Sequence, residues 1–301
     1  MHLAYGYSRP ILNAEWSQML SNPNLLAYIA EHSEEHSRLS PWWKQTDITI
    51  QAEMDELFRS DYATLTFGNI SPLVIENVSF GTIEAKHLFG LDELIIFAWY
   101  AKNRKRYSKT LDLGANIGVH SLVMSKVGFH VTAYEPDPAH SVMLQKHLEK
   151  NSVSNVDLRT RAIADKNGEM KFTRVIGNTT GSHLSGAKQD PYGELEEFAV
   201  NVDAFQDVIE EGYDLIKMDV EGFEAKLLQS LNSGQLKSTE IMLEVGSTEN
   251  ARLVWTEIVR LGLHAYSQKE NWGEVTSVSG VPQSYKEGSL FITQSSEMSW
   301  K

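Results

Sequence analysis

The sequence predicts an α/β protein built on a seven-stranded, mostly parallel sheet with an antiparallel last strand, preceded by a helical and short-strand extension. Three observations lead there. From residue 109 onward short apolar strands alternate with segments of helical periodicity. The first strand, "TLDL", runs straight into a glycine turn, and the last two, "LHAYSQ" and "SLFITQ", are joined by a turn-rich loop in place of a helix. Strands that alternate with helices need crossover connections and hence a parallel sheet covered on both faces, whereas a loop return makes the final edge antiparallel.

Taken in order, residues 1 to about 60 read as helices: "NAEWSQML", "NLLAYIAEHSEEH" and "QAEMDELFRS" space their apolar residues three or four apart, broken by Pro23 and Pro41. Next, "YATLTFGNISPLVIENVSFGTIEA" is rich in β-branched and aromatic residues with Gly, Asn and Pro punctuation, which predicts short strands and turns. A helix follows, "LDELIIFAWYAKNRKR", with Asp92 as its expected cap. The cations of "KNRKRYSK" suit the negative end of that helix and stay solvated there. The sheet strands are then "TLDL", "HVTAYE", "VDLRTRAI", "DLIKMDV", "EIMLEV", "LHAYSQ" and "SLFITQ", with helices at 117–127, 138–150, 222–231 and 250–261. About fifty residues between "VDLRTRAI" and "DLIKMDV" break the alternation. They contain "EMKFTRV", the polar loop "IGNTTGSHLSGAKQDPYGE" and "EFAVNV", and predict a hairpin with a lid-like loop. The expected division is an extension at 1–108, covering an acceptor or mediating dimerisation, and a ligand-binding domain at 109–301.

Bulk properties remove several function classes. With 301 residues, 42% hydrophobic and 22% charged, the chain has the balance of a globular protein with a substantial core. The absence of cysteine excludes disulfides, zinc–thiolate sites and cysteine nucleophiles. A formal charge of −13 speaks against nucleic acid as a partner, because phosphate binding needs a concentrated basic surface. The longest apolar run, "LIIFAWYA" at 94–101, is too short to span a bilayer, and "MHLAYGYSRP" lacks the pattern of a signal peptide. A cytoplasmic location without membrane attachment is the expectation.

The chemistry is concentrated at strand ends. In a doubly wound sheet, ligands bind beyond the carboxyl ends of the strands, where the first strand hands over to its helix. Gly114 and Gly118 free the backbone to turn tightly under a ligand, and Asp112, in an otherwise apolar strand, needs a partner if buried. The order Gly114-Ala-Asn-Ile-Gly118 is not the G-x-G-x-x-G of a pyrophosphate cradle. An acid just before the turn favours a ligand with an amine or sulfonium, and Glu135, ending the second strand, suits ribose hydroxyls. A nicotinamide-dependent oxidoreductase and a non-catalytic cofactor-binding scaffold stay open on this evidence.

Together, Asp112-x-Gly-Ala-Asn-x-Gly, Glu135-Pro-Asp-Pro, "AIAD" at 162–165, "IKMDVEGFE" at 216–224, "MLEV" at 242–245 and "SLFIT" at 289–293 resemble the FkbM family of S-adenosylmethionine-dependent methyltransferases, over roughly residues 90–293. The resemblance implies a Rossmann-like class I methyltransferase fold. It implies that Asp112, Gly114, Ala115, Asn116 and Gly118 surround the methionine part of the cofactor. Glu135 would hold the ribose, Pro136 and Asp137 would border the adenosine, and Ala162 and Ile163 would lie near the adenine. Asp137 before Pro138 is equally a helix cap.

Asp219 and Glu221, and beyond them Glu244, end adjacent strands over the same crevice. Methyl transfer to a hydroxyl, on a sugar or secondary metabolite, needs alignment and a proton acceptor. Asp219 or Glu221 suits that role directly, or Asp219 with Glu244 would hold a divalent cation. Glu221 also suits the start of a helix. His183, in the lid, is a further candidate base or acceptor-binding group, or a solvated loop histidine. His120 is expected to pack against the sheet, His32 and His36 to line a solvated helix face, and Trp272 to stack on an acceptor ring or simply to pack. The expected partner is a small-molecule or glycan acceptor, with a homodimer as one form of assembly.

Overall fold

The computed structural model describes residues 23–67, 70–188, 193–298 and 300. The helix expected at "NAEWSQML" lies outside the described residues. The amino-terminal part begins with α1 (Leu25–Glu31) and α2 (Pro41–Leu57). At the start of α2 the Ser40 hydroxyl accepts from Trp43 N at 2.9 Å, with Pro41 just inside the helix, so the chain turns where sequence chemistry says it should. Strands β1 (Tyr62–Phe67) and β2 (Ile70–Glu76) form an antiparallel hairpin. Helix α3 (Leu91–Lys102) follows, buried on every side.

The alternating part runs β3 (Lys109–Leu113), α4 (Val119–Val127), β4 (His130–Tyr134), α5 (Pro138–Lys150), β5 (Val156–Arg159), β6 (Ala162–Ala164), β7 (Gly168–Ile176), β8 (His183–Leu184), β9 (Glu194–Ala204), α6 (Phe205–Ile209), β10 (Leu215–Met218), α7 (Glu224–Gln229), β11 (Glu240–Glu244), α8 (Thr248–Leu261), β12 (His264–Ser267), β13 (Gly273–Glu274) and β14 (Ser289–Thr293). The main sheet has the order β13-β12-β14-β11-β10-β3-β4-β5. Strands β11, β10, β3, β4 and β5 are mutually parallel, and β14 inserts antiparallel between β11 and β12. The seven expected strand regions all contribute, and the two-residue β13 adds an eighth at the edge.

Three local expectations are corrected. "VDLRTRAI" is not one strand: β5 stays in the main sheet, while β6 leaves it to pair parallel with β9 in a second sheet of order β6-β9-β7-β8. The break falls at Arg161, whose guanidinium reaches back to Asp203 of β9 at 2.7 Å. Asp92 does not cap α3; Gly90 holds the cap position, and Asp92 instead receives Arg38, Trp43 Nε1 at 3.0 Å and Gln268 Nε2 at 2.6 Å. Helices α4 and α7 begin two residues late, because Gly118, Glu221 and Gly222 adopt positive φ of 88°, 54° and 105° and belong to turns.

Each face of the sheet has its own core. Leu215, Met242 and Phe291 pack with α1, α3 and α4 residues such as Ile29, Phe97 and Leu122. Their strand neighbours Ile216, Ile241 and Leu243 pack with Leu227 and Ile258 of α7 and α8. The extension therefore shares one continuous core with the sheet. Its hairpin edge is also satisfied by side chains: Asn151 exchanges bonds of 2.7 and 2.8 Å with the Val74 backbone, and His147 Nε2 accepts from Glu76 N at 3.0 Å.

Candidate active site

The site begins where β3 ends. Gly114 turns at φ 78°, its N–H and that of Ala115 both donating to Tyr134 O at 3.0 and 2.9 Å. A Cβ at Gly114 would lie 1.8 Å from Asp219 O, so the turn after β3 and the end of β10 touch through backbone alone, which only glycine permits. Asn116, at φ 52°, donates its N–H to Glu135 Oε2 at 2.8 Å, and Asp137 N donates to Glu135 Oε1 at 2.7 Å. Glu135 is thus locked by two backbone amides with lone pairs left over. Burial nevertheless pushes its carboxyl up to about 8, against the lowering effect of those amides.

Above this turn lies a groove. Gly114, Asn116, Glu135 and Pro136 line its floor, and Ala162 and Ile163 of β6 its far wall. Asp219 and Glu221 bound one end. Thr179, Thr180, Ser182, His183 and Leu184, from the long loop between β7 and β9, roof it over. About 630 Å³ lies between the walls out to the mouth. His183 is buried there, its Nδ1 3.0 Å from Gly181 O, and burial lowers its pKa. It is not a solvated loop histidine.

Four expected residues stand behind the groove and do not line it. Asp112 is fully buried beneath the turn; Ser121 Oγ donates to its Oδ2 at 2.5 Å, while Oδ1 has no hydrogen-bond partner among the described residues. Ala115 is buried in the turn, and Gly118 gives α5 room, since a Cβ there would meet Leu144 at 2.6 Å. Asp137 caps α5 through Ala139 N at 2.8 Å and is forked by Arg174 with two contacts of 2.7 Å. Burial would raise its carboxyl, yet the Arg174 contact prevails and holds it below the usual range. Capping, the alternative the sequence left open, is what this carboxylate does.

Residues unremarked in sequence complete the walls. His140 of α5 places Nε2 2.9 Å from Thr179 Oγ1, tying floor to roof. Lys188 of the lid donates to Glu221 Oε2 at 2.6 Å. Even so, burial first and the nearby Asp219 charge second raise Glu221 to about 7. Glu224 accepts from the amides of Val220 at 3.0 Å and Gly222 at 3.1 Å, fastening the turn that carries Glu221. The signal was in the motif, in a second glutamate three residues on; from α8 the Asn250 side-chain amide also donates to it, at 2.5 Å.

Asp219 and Glu244 directly follow the paired residues Met218 and Leu243 on adjacent strands. Between them stands a cation that the sequence reading left without a role: Lys217 Nζ donates to Asp219 Oδ2 at 3.2 Å. Burial alone would lower this ammonium, but Asp219, Asp112, Glu93 and Glu244 surround it and raise its pKa above the ordinary lysine value. A divalent cation at Asp219 and Glu244 has no support among the described residues, where the Asp219 carboxylate is engaged by that ammonium. Among the described residues no group of three or more His, Asp or Glu side chains converges as metal ligands.

The remaining candidates are structural. His120 joins Tyr100 OH at 3.0 Å and Glu93 Oε2 at 2.7 Å. His36 is buried rather than solvated, with one ring nitrogen 2.9 Å from Ile29 O and the other accepting from Trp272 Nε1 at 2.8 Å; burial lowers it to about 4. That bond also settles Trp272 as a packing residue. No helix among the described residues is long and apolar enough to cross a membrane.

A mostly parallel sheet with a glycine turn after β3 and acids at successive strand ends is the frame of the S-adenosylmethionine-dependent methyltransferase class. Residues 112–267, just over half of the chain, match the family described as the methyltransferase FkbM domain, and the chain belongs to that family. Among solved structures, it resembles an S-adenosylmethionine-dependent methyltransferase from Agrobacterium tumefaciens at 12% identity, covering 77% of this chain and 70% of that one with a TM-score of 0.41. It also resembles precorrin-6y C5,15-methyltransferase from Geobacter metallireducens, at 12% identity, 65% and 85% coverage and a TM-score of 0.37. A third likeness is to a ribosomal protein L11 methylase from Lactobacillus delbrueckii subsp. bulgaricus, at 10% identity, 57% and 69% coverage and a TM-score of 0.34. No curated protein matches the sequence.

Proposed function

We propose that the protein transfers a methyl group from S-adenosylmethionine to a hydroxyl of a small-molecule or glycan acceptor. The residues fit that cofactor. Glu135 lines the groove, held by two backbone amides and with lone pairs left for ribose hydroxyls. Ala162 and Ile163 offer the apolar wall an adenine needs. When bound, the cofactor supplies an electrophilic methyl on a positively charged sulfur.

The chain's own part is alignment and proton removal. Asp219 is the proton acceptor in this reading: its carboxylate follows β10 at one end of the groove, where Lys217 Nζ donates to it at 3.2 Å. As the acceptor oxygen gains its bond to carbon, its proton passes to an Asp219 oxygen. Glu221, with its raised pKa, and His183 under the lid assist by excluding water and ordering the roof. The extension at residues 1–108 serves as the acceptor's cover. The observation that carries this is the junction at Asp219, reached by backbone contact from the cofactor turn on one side and by Lys217 from the acids on the other.

The test is turnover by Asp219→Asn with cofactor affinity measured alongside. Loss of about 10²-fold or more in rate with affinity retained is expected. Undiminished turnover would remove Asp219 from catalysis, and a folded protein that binds cofactor but turns over no hydroxylated acceptor would favour a scaffold.

A further inference from the structure

The groove lies between two sheets. Its floor follows β3 and β4 of the main sheet, and its roof belongs to the loop that carries β8 in the second. Side chains join the two layers on both flanks. On the α5 flank the joints are buried: Arg174 of β7 forks the Asp137 carboxylate, 1% exposed, and the buried His140 meets Thr179. On the Asp219 flank the joint is Lys188, which donates across the gap to Glu221 Oε2 at 2.6 Å and within the roof to Gly181 O at 3.2 Å. The side chains of this pair are 29% and 33% exposed. The same Gly181 carbonyl takes His183 Nδ1 at 3.0 Å, so one oxygen ties Lys188 to the ring above the groove. Next to the ion pair the two layers touch through backbone, for a Cβ at Gly222 would lie 3.1 Å from Ala187 O.

We propose that Lys188 is a positioning residue whose ion pair with Glu221 latches the roof: it parts when S-adenosylmethionine enters or product leaves past Asp219, and re-forms over the bound cofactor. The inference rests on the methyltransferase reading above, and adds to it the way in and out of the groove. A partly exposed ion pair parts readily, since water takes up both charges as they separate, whereas a forked carboxylate buried in the protein has no such exchange. The Asp219 flank therefore opens before the α5 flank. Lys188 is not among the residues that line the groove, so its loss takes no contact from the cofactor. A bond made outside the groove, in the closed form with or without cofactor, cancels from the affinity and stays in the barriers to entry and exit.

Surface plasmon resonance with S-adenosylhomocysteine flowing over the immobilised protein tests this. Lys188→Met is expected to raise the association and dissociation rate constants together, each by about fivefold, the rate equivalent of one partly exposed ion pair, with Kd within about twofold of the parent. A merely destabilised protein would not bind faster. Lys188→Arg, which keeps the charge, should return both rates towards the parent. Glu221→Gln should reproduce the acceleration, and combining it with Lys188→Met should add nothing, because both remove the same bond. Parent rates in Lys188→Met would overturn the latch, as would an arginine variant as fast as the methionine one or additive acceleration in the double variant. Faster dissociation alone, with Kd weakened to match, would also overturn it and mark Lys188 as a contact to the cofactor. Failure of the parent protein to bind S-adenosylhomocysteine would instead overturn the methyltransferase reading on which it rests.

Discussion

Lys217 holds its ammonium 3.2 Å from the carboxylate of Asp219, two residues further along the same face of the chain, and the charges of Asp112, Glu93 and Glu244 close in around it. One buried cation thus serves several acids beside the groove. Removing one member of such a cluster leaves the rest uncompensated, which costs far more than the pair itself contributes. Lys217→Met is expected to destabilise the protein by about 3–5 kcal/mol, read from denaturant unfolding. Stability unchanged by that substitution would show that the acids find other partners.

Gly114 and Asp219 meet through backbone, and neither can yield. Gly114→Ala sets a methyl 1.8 Å from a carbonyl oxygen at φ 78°. A loss of at least about 2 kcal/mol is expected, with cofactor affinity falling because the turn and Asp219 move together. A stable Gly114→Ala protein with parent affinity would contradict the geometry.

If Glu135 takes the ribose as proposed, cofactor binding is expected to release a proton. Its carboxyl is raised from 4.5 to about 8 by burial, so at pH 7 it carries a proton in the ligand-free fold. Ribose hydroxyls donating to it favour the ionised form, lower the pKa and expel that proton. Titrations of S-adenosylhomocysteine in buffers of differing ionisation heat should report release near pH 7, absent in Glu135→Gln. The same shift fixes a sign for stability: a carboxyl raised on folding contributes fully below its unfolded value of 4.5 and loses that contribution as pH climbs towards 8. Proton uptake on binding would reverse the argument.

The lid is held at its base by the extension. Thr82 N donates to Gly177 O at 2.7 Å and Thr179 N to Phe80 O at 3.1 Å, while His140 holds Thr179 from below. His140→Ala removes a partly buried bond worth about 1 kcal/mol, so cofactor affinity should weaken roughly fivefold. Gly81→Ala would drive a methyl to 1.9 Å from Gly177 O and should speed amide exchange across 177–184. Exchange in that segment unaffected by either change would mean the lid is anchored elsewhere.

How legible this was in sequence depended on the kind of signal. Apolar runs carrying an acid, such as "TLDL" and "DLIKMDV", marked the strands whose ends meet at the groove, although of their acids Asp219 lines it and Asp112 lies buried beneath the turn. The break between β5 and β6 was invisible, since "RTRAI" continues the same texture and only the pairing of Arg161 with Asp203 redirects the chain. Asp92 and Asp137 looked like caps on equal grounds; distant arginines, Arg38 and Arg174, engage both, and only Asp137 keeps the cap. Lys217 sat in plain view within the motif, but its role depends on acids from β3, α3 and β11 that only the fold assembles.

Calorimetric titration of S-adenosylhomocysteine into the folded protein and into Glu135→Ala tests the cofactor groove most directly. One-to-one binding by the parent, lost or weakened at least tenfold in the variant, is the predicted result. A folded parent that takes up no S-adenosylhomocysteine, or a variant that binds it as tightly as the parent, would contradict the claim that the groove above Gly114 is the cofactor site.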